Sequence, residues 1–334
     1  MPQLTIDVPE SITQRVLASL DMALAQDPKN MKLTDYWEHH KRLIHIKPLS
    51  EGRVQLTGES GFYFPGHSYS GLDRLNTYYK YLKSRSLKSA VGPDITTTMA
   101  KLSLPHGSGF YLGGRWVTYD LLRSIFHVHS ILDAMDKAGI KMPSNPTFLE
   151  IGSGTGIQAL VFSKLFPNLT YICLDLPETL SRASFFLGRA MPQRKLVLYK
   201  EWLQNDRKIE TGSEQTILLP AYEAVNLPDH SIDMVINTDS LQEMSLETIA
   251  FYFKEIRRVL KNERLFYQSN RKSKKMGSEI IEVAKFPYTS ADKHLFHREN
   301  TFMARQWIYK KRLGLFNVPY LSKRTHLHSL TQMA

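Results

Sequence analysis

The sequence predicts an α/β fold, an open and mostly parallel sheet with helices packed on its faces. A short apolar run at residues 147–151 leads into a glycine-rich loop, and residues 157–166 then follow with helical spacing. Further apolar runs alternate with helical segments through residue 268, which is the βα pattern of a parallel sheet. With 334 residues and 42% hydrophobic content, the chain can bury one large core and a smaller domain.

The other core elements follow from the same periodicities. We expect strands at 169–174, 195–200, 216–219, 232–237 and 264–268, and helices at 178–190 and 246–260. Right-handed crossovers bring the carboxyl ends of parallel strands to one edge of the sheet. Asp175 and Asn237 stand at two such ends, so they should converge with the glycine-rich loop on one cleft.

The glycine-rich loop indicates which ligand this cleft takes. Residues 150–156 read Glu-Ile-Gly-Ser-Gly-Thr-Gly, and glycine allows the backbone to approach a ligand closely. A dinucleotide-binding loop would read Gly-x-Gly-x-x-Gly, but Ile157 occupies the place of its third glycine. The negative charge of Glu150 disfavours a pyrophosphate and suits an ammonium and a sulfonium, as in S-adenosylmethionine. Asp175 is placed to accept hydrogen bonds from ribose hydroxyls.

With these residues the chain resembles the class I S-adenosylmethionine-dependent methyltransferases. It matches their Glu-x-Gly-x-Gly-x-Gly loop and their acidic second-strand end, and 227–237 is similar to the run leading into their fourth strand. The resemblance covers about residues 145–270 and implies a Rossmann-like sheet, S-adenosyl-L-methionine as cofactor and methyltransferase activity. Residues 237–244 and the aromatic-rich leader are similar to bacterial sugar O-methyltransferases, which implies methyl transfer to a sugar hydroxyl of a surface glycan or its precursor.

The resemblance also assigns cofactor contacts to individual residues. They are Glu150, Gly152, Ser153, Gly154, Gly156, Asp175, Leu176, Ala221, Tyr222 and Asn237. Leu176 would cover the adenine ring, and a backbone N–H of Ala221 or Tyr222 would bond its edge. The acidic residue usual near Ala221 is missing, so a plain connecting turn is an equal interpretation there.

A sugar hydroxyl is a poor nucleophile while protonated, so a general base or a metal is expected. The candidate bases are Glu243 and Asp239 after the strand at 232–237, His106 in an upstream loop, and His294 or His297. Asp239 or Glu243 could instead cap the helix that begins near residue 246. Surface histidines are also common in a chain that has twelve.

No metal site is expected. His39 and His40 face different directions, as do His127 and His129 on their helix. His326 and His328 could share a strand face, but no carboxylate partner is expected near them. The single cysteine, Cys173, lies in an apolar strand and is expected to be a core residue.

The chain divides into two predicted domains, a mainly helical N-terminal cap at 1–143 that binds the acceptor and a cofactor-binding domain at 144–334. Residues 9–26 have amphipathic helical spacing, and a second helix is expected at 117–137.

Two segments of the predicted cap, 58–71 and 105–116, are rich in glycine and aromatic residues and are predicted as loops. Their rings could stack on a sugar or fill a minor core. The second segment leads into a helix and could close over the reacting groups as a lid.

The net charge of +11 favours anionic partners such as phosphorylated glycans, nucleotide-sugars, lipid headgroups or nucleic acid, and it does not choose among them. The basic run Arg271–Lys275 is either a phosphate contact or a solvated loop. No signal-like segment or apolar run of membrane-spanning length is present in the sequence, so a cytoplasmic location is expected. Peripheral membrane contact and a homo-oligomer stay open, whereas a stable nucleic-acid partner is not expected.

Three alternatives compete with sugar methylation. An amino-methylating nucleic-acid enzyme would need Asn/Asp-Pro-Pro-aromatic after the fourth strand, but residues 237–240 read Asn-Thr-Asp-Ser. A nucleic-acid methyltransferase that acts on another atom stays open. An O-methyltransferase of small aromatic metabolites would have an apolar acceptor pocket. A non-catalytic binding protein on the same fold is disfavoured by the intact Glu150, glycine loop and Asp175.

Overall fold

The computed structural model describes residues 3–27, 34, 37–38, 44–49, 53–57, 75, 77–80, 82, 110–112, 115–312 and 316–334. The predicted loop at 58–71, the candidate base His106 and the pair His39 and His40 lie outside the described residues. Within these described ranges, no helix combines the length and apolar character needed to cross a membrane.

The N-terminal region contains short strands as well as helices. Its elements are β1 (Gln3–Asp7), α1 (Glu10–Gln26), β2 (His45–Pro48), β3 (Arg53–Thr57), β4 (Phe110–Leu112), β5 (Arg115–Val117) and α2 (Tyr119–Lys137). Strand β3 pairs antiparallel with β1 and β2, and β4 pairs with β5. Helix α2 begins two residues later than predicted, because the Thr118 side chain caps it by accepting a hydrogen bond from Leu121 N at 3.1 Å.

The central region alternates strands and helices as expected. Its elements are β6 (Thr147–Ile151), α3 (Ile157–Leu165), β7 (Thr170–Asp175), α4 (Pro177–Ala190), β8 (Lys195–Val197), α5 (Tyr199–Gln204), β9 (Gln215–Pro220), β10 (Ile232–Thr238), α6 (Leu246–Val259) and β11 (Leu260–Arg271). Short 3-10 turns lie at 221–226, 241–243 and 283–285.

The C-terminal region is built from strands. They are β12 (Ser273–Met276), β13 (Glu279–Glu282), β14 (Lys293–Glu299), β15 (Arg305–Arg312), β16 (Phe316–Lys323) and β17 (His326–Gln332). Strands β14 and β17 join the central sheet, whose order is β14-β17-β11-β10-β6-β7-β9-β8. Strands β12 and β13 form a separate two-stranded sheet, and so do β15 and β16.

The predicted α/β fold with a mostly parallel, Rossmann-like sheet is confirmed. Strands β6 to β11 all pair in parallel with their neighbours among one another, in the order β11-β10-β6-β7-β9-β8. Strand β17 pairs antiparallel with both β11 and β14. The sheet is buried on both faces, with all five residues of β6 and all six of β7 buried. Cys173 lies in β7 and is fully buried. The division into two domains near residue 143 stays a prediction.

Two predicted strands of the central sheet differ most in length from the structure. The strand expected at 195–200 ends at Val197, because Glu201 accepts a hydrogen bond from Leu198 N at 3.1 Å and starts helix α5. The strand expected at 264–268 runs from Leu260 to Arg271, because β17 pairs with it over seven residues.

Candidate active site

A cavity of about 640 Å³ opens at the carboxyl edge of the central sheet, which is within the usual range for small-molecule sites. Most of the predicted site residues line it. These are Glu150, Gly152, Ser153, Gly154, Asp175, Leu176, Ala221, Tyr222, Asp239 and Glu243. Gly156 and Asn237 are not part of the lining.

The glycine loop owes its shape to positive φ angles. Gly152, Gly154 and Gly156 have φ of +74°, +56° and +80°, a region that side chains other than glycine rarely adopt. A Cβ on Gly152 would stand 2.1 Å from Ser240 Oγ, so this glycine is required by packing. A Cβ on Gly154 would meet nothing within 4 Å. Gly154 therefore faces open space in the cavity, where a ligand can approach the backbone.

Asp175 connects the end of β7 to the glycine loop. One carboxylate oxygen accepts a hydrogen bond from Gly154 N at 2.7 Å and the other from Leu176 N at 2.7 Å. Burial raises the pKa of Asp175 to about 6, although these backbone N–H groups counteract the effect. Each carboxylate oxygen can accept a second hydrogen bond, so ribose hydroxyls can still bind here.

Glu150 lies at the end of β6 and is 2% exposed. Its Oε2 atom accepts a hydrogen bond from the Tyr171 hydroxyl at 2.9 Å. Burial raises the pKa of Glu150 to about 8, and the nearby Asp175 carboxylate raises it further, against the Tyr171 hydrogen bond and the charge of Arg123. A cationic ligand beside Glu150 would restore its charged form.

Asn237 holds two strand ends together. Its amide nitrogen donates to Ile151 O at 2.9 Å, and its oxygen accepts from Asn270 Nδ2 at 3.0 Å and Leu241 N at 3.3 Å. The side chain is fully buried and its polar atoms are used within the protein. Its position therefore offers no support for the predicted cofactor contact, and it explains how β10 is tied to β6 beneath the cavity.

Asp239 belongs to a charged cluster that the sequence did not indicate. Its Oδ2 atom pairs with Arg123 Nη1 at 3.1 Å, and Arg123 Nη2 lies 3.2 Å from Asp120 Oδ1. His326 Nε2 lies 3.3 Å from Asp239 Oδ1, so the expectation that no carboxylate stands near this histidine was wrong. Burial lowers the pKa of His326, and Asp239 opposes that effect. Positions as far apart as 120, 239 and 326 meet through the fold alone.

Glu243 lines the cavity beside this cluster. Its Oε1 atom accepts a hydrogen bond from Lys274 Nζ at 2.6 Å, and its backbone oxygen accepts from Thr34 Oγ1 at 3.0 Å. Burial raises the pKa of Glu243, and Lys274 counteracts that shift. The alternative role of Glu243 or Asp239 as a helix cap is wrong, because Ser245 caps α6 by accepting from Thr248 N at 3.1 Å.

Ala221 and Tyr222 form the wall on the β9 side, where the adenine contact is predicted. They begin the 3-10 turn at 221–226, and the Tyr222 hydroxyl donates to Ala23 O at the end of α1 at 2.8 Å. Leu176 lies on the same side of the cavity and is 7% exposed. Leu176, predicted to cover the adenine ring, therefore lies on the same side of the cavity as Ala221 and Tyr222, predicted to bond the edge of that ring. These contacts with the cofactor stay predictions.

The two remaining candidate bases lie away from this cleft. His294 and His297 are on β14, at the edge of the central sheet, and neither lines the cavity. His294 Nδ1 is 2.7 Å from Thr331 Oγ1 on the neighbouring strand. No cluster of three or more metal-ligating side chains was found within the described parts of the chain.

Comparison with known proteins agrees with the fold. Residues 149–267 match a family model described as a methyltransferase domain. A search of curated proteins found no match.

Three solved structures illustrate the structural likeness. A protein described as a sarcosine dimethylglycine methyltransferase from Galdieria sulphuraria is 14% identical, with a TM-score of 0.37 over 54% of this chain and 62% of that one. The YcgJ protein from Bacillus subtilis is 14% identical, with a TM-score of 0.40 over 62% of this chain and all of that one (100%). CrArsM, an arsenic(III) S-adenosylmethionine methyltransferase from Chlamydomonas reinhardtii, is 15% identical, with a TM-score of 0.35 over 58% and 64%. The chain spans less than two thirds of the first and third of these proteins.

Residues 149–267 match a methyltransferase domain, and the α/β sheet and glycine loop of this region agree with S-adenosylmethionine as the cofactor. The residues present fit this cofactor, because Gly154 opens onto empty cavity space between two buried carboxylates, Glu150 and Asp175. When bound, the cofactor supplies an electrophilic methyl group on a sulfonium. Asp175 would hold its ribose and Glu150 would face its cationic end.

Proposed function

We propose that the protein is an S-adenosylmethionine-dependent O-methyltransferase that acts on a sugar hydroxyl of a surface glycan or its precursor. The observation that carries this proposal is the charged wall on the β10 side of the cavity. Asp120, Arg123, Asp239 and Glu243 line it next to the glycine loop. Carboxylates and a guanidinium can hydrogen-bond several hydroxyls of one small polar molecule.

The charged groups that line this cavity indicate which part of the acceptor can enter it. Six carboxyl groups line it against two guanidinium groups, and five of the six remain when Glu150, which is mostly protonated at pH 7, is left out. An anionic group inside this cavity would meet like charge in a partly desolvated space. We therefore propose that an uncharged, hydroxyl-bearing part of the acceptor enters the cavity. A phosphate of a nucleotide-sugar or glycan precursor would stay outside.

Glu243 is the proposed general base. A buried carboxylate with a raised pKa is closer to the pH at which it works, which favours proton transfer from a hydroxyl. Lys274 and the Thr34 contact hold Glu243 in place at the cavity wall. Asp239, held by Arg123 and His326, is the proposed group that orients the acceptor by accepting a hydrogen bond.

The test compares two carboxylates of the same cavity. Glu243→Gln removes the proposed base, and we expect kcat to fall about 10²–10⁴-fold with unchanged binding of S-adenosylhomocysteine. Glu247→Gln is the matched control, because Glu247 also lines the cavity but belongs to α6 and carries no proposed proton transfer. Turnover of sugar acceptors is followed by release of S-adenosylhomocysteine. An equal loss of kcat in both variants would contradict the role of Glu243.

A second candidate is an O-methyltransferase of small aromatic metabolites. The observation that favours it is the set of rings at the cavity, since Trp37, Phe251 and Tyr252 all line it. Phenolic acceptors belong in the same screen as the sugars. If the protein methylated phenols but no sugar, the sugar assignment would be replaced and the cofactor assignment would stand.

A further inference from the structure

The positive charge of the chain is concentrated near its C-terminus. Residues 305–324 carry six lysine and arginine residues and no aspartate or glutamate, and the whole chain has a net charge of +11. The same twenty residues include Trp307, Tyr309, Phe316 and Tyr320 and several aliphatic residues. Acidic side chains outnumber basic ones in the cavity lining, and no residue of 305–324 belongs to that lining, so this basic segment serves something other than the inside of the cavity.

This segment forms a hairpin of its own. Strand β15 pairs antiparallel with β16 from Arg305↔Lys323 to Arg312↔Phe316, and the described residues provide no third strand to this sheet. Trp307 pairs in register with Leu321 and Ile308 with Tyr320, so consecutive register positions of the hairpin carry apolar residues. An isolated two-stranded hairpin is marginally stable in water, so it gains from a surface to pack against.

The hairpin leaves the body at the same edge as the cavity. At its base, Arg324 N donates to Ala304 O at 2.7 Å and Asn300 N donates to His326 O at 2.7 Å. His326 is opposite Arg271, the last residue of β11, and β11 runs parallel to β10. His326 also lies 3.3 Å from Asp239 in the cavity wall. The basic hairpin therefore begins beside the mouth of the proposed active site.

A second hairpin shares this edge and this composition. Strands β12 and β13 follow β11 directly, and Lys274 of β12 reaches Glu243 in the cavity wall. Lys272 and Lys275 are exposed, and Lys275 pairs in register with Ile280, which is 53% exposed. Cations next to an exposed aliphatic side chain are therefore found here as well.

We propose that the carboxyl edge of the sheet docks onto an anionic lipid bilayer through the β15–β16 hairpin, with β12–β13 as a lesser contact. Clustered lysines and arginines are attracted to anionic headgroups, and the interleaved aromatic and aliphatic residues suit the membrane interface. A nucleic acid would use the cations but would leave the aliphatic residues without a partner. Docking in this orientation turns the cavity mouth towards acceptors at the membrane surface. The proposal does not depend on which acceptor is methylated.

The test uses the full-length protein and sedimentation with vesicles. One set contains phosphatidylcholine alone, and the other contains equal parts of phosphatidylcholine and phosphatidylglycerol. The hairpin variant is Lys310→Gln/Lys311→Gln/Arg312→Gln. The matched control is Lys141→Gln/Lys164→Gln/Lys208→Gln, which removes three exposed lysines from segments leading to the amino ends of strands. Calorimetric binding of S-adenosylhomocysteine checks that both variants are folded.

We expect the wild-type protein to bind the anionic vesicles and not the neutral ones. Each cation removed weakens such binding about fivefold, so the hairpin variant should bind about a hundredfold more weakly, with the control nearly unchanged. Absence of wild-type binding to anionic vesicles would overturn the proposal, and so would equal losses in both variants. Binding of a single-stranded RNA in place of vesicles would overturn it in favour of a nucleic-acid surface.

Discussion

At the scale of single residues, the raised pKa of Glu150 makes a prediction about ligand binding. With a pKa of about 8, its carboxyl group is mostly protonated at pH 7 in the ligand-free protein. The ammonium of S-adenosylhomocysteine, which lacks the sulfonium of the cofactor, favours the charged form, so the pKa falls and up to about one proton is released. Calorimetry of S-adenosylhomocysteine binding at pH 7, in buffers of different ionisation enthalpy, measures this release. Glu150→Gln should abolish it.

The ligand-free protein provides an independent measurement on the same group. The folded pKa of Glu150 is raised above its ordinary value of 4.5, so the native state holds a proton that the unfolded chain has released. The contribution of Glu150 to the free energy of unfolding is therefore fully present below about pH 4.5 and is lost as the pH rises towards 8. The melting temperature of Glu150→Gln should rise relative to wild type across that window. A constant difference between the two proteins would contradict the raised pKa.

Asp175 should act on both ligand binding and stability. Asp175→Ala removes the proposed acceptor of the ribose hydroxyls and leaves the N–H groups of Gly154 and Leu176 without their partner. Each buried donor left unpaired costs about 1–3 kcal/mol, so the melting temperature should fall together with the affinity for S-adenosylhomocysteine. Asp175→Asn keeps one acceptor oxygen and should show a smaller loss in both measurements. Unchanged affinity in the alanine variant would remove the ribose assignment.

At the scale of elements, two glycines of the glycine loop have different roles. Gly152 is required by packing, whereas Gly154 leaves space for a ligand. Gly152→Ala should destabilise the fold, because the new Cβ would overlap Ser240 and the φ of +74° is strained for alanine. Gly154→Ala has the strain of φ +56° without any steric contact, so its melting temperature should fall less. The affinity of Gly154→Ala for S-adenosylhomocysteine should nevertheless fall, since its Cβ occupies cavity space. Equal affinities for Gly154→Ala and wild type would show that no ligand approaches this backbone.

The elements near the glycine loop could be predicted from the sequence because their signals are local. The apolar run at 147–151, the glycine spacing and the acidic residue at 175 each stand within one βα unit. The helix at Tyr199–Gln204 was missed because its start depends on a single side-chain bond from Glu201 to Leu198 N. The pairing of β17 with β11 joins segments about sixty residues apart, and nothing in either segment alone indicates the other.

The cluster around Asp239 could not be predicted for the same reason. Arg123 comes from a helix before the sheet and His326 from the last strand, so only the closed fold brings them to Asp239. The sequence did single out Asp239 and Glu243, because both follow the strand whose carboxyl end faces the cleft. Candidates chosen for residue type alone, such as His294 and His297, fell on an edge strand away from the cavity.

At the scale of the whole molecule, the acidic groups of the cavity and the basic residues near the C-terminus lie in different parts of the chain. The charged groups of the cavity lining are mainly carboxylates, whereas residues 305–324 carry six cations and no acidic residue. A net charge of +11 therefore describes the hairpin and the surface, and it says little about the acceptor inside the cavity. Sequence composition alone could not make this distinction, because it sums the charges without their positions.

This separation predicts different responses to salt. Charges at an exposed surface are screened at high ionic strength, with a Debye length of about 3 Å at 1 M, whereas buried groups are screened much less. We therefore expect added sodium chloride to abolish sedimentation with anionic vesicles while the affinity for S-adenosylhomocysteine changes little. Both measurements use the same wild-type preparation. If salt weakened the binding of S-adenosylhomocysteine as strongly as vesicle binding, then surface charge would contribute to the cofactor site, and the cavity and the hairpin would not be electrostatically separate.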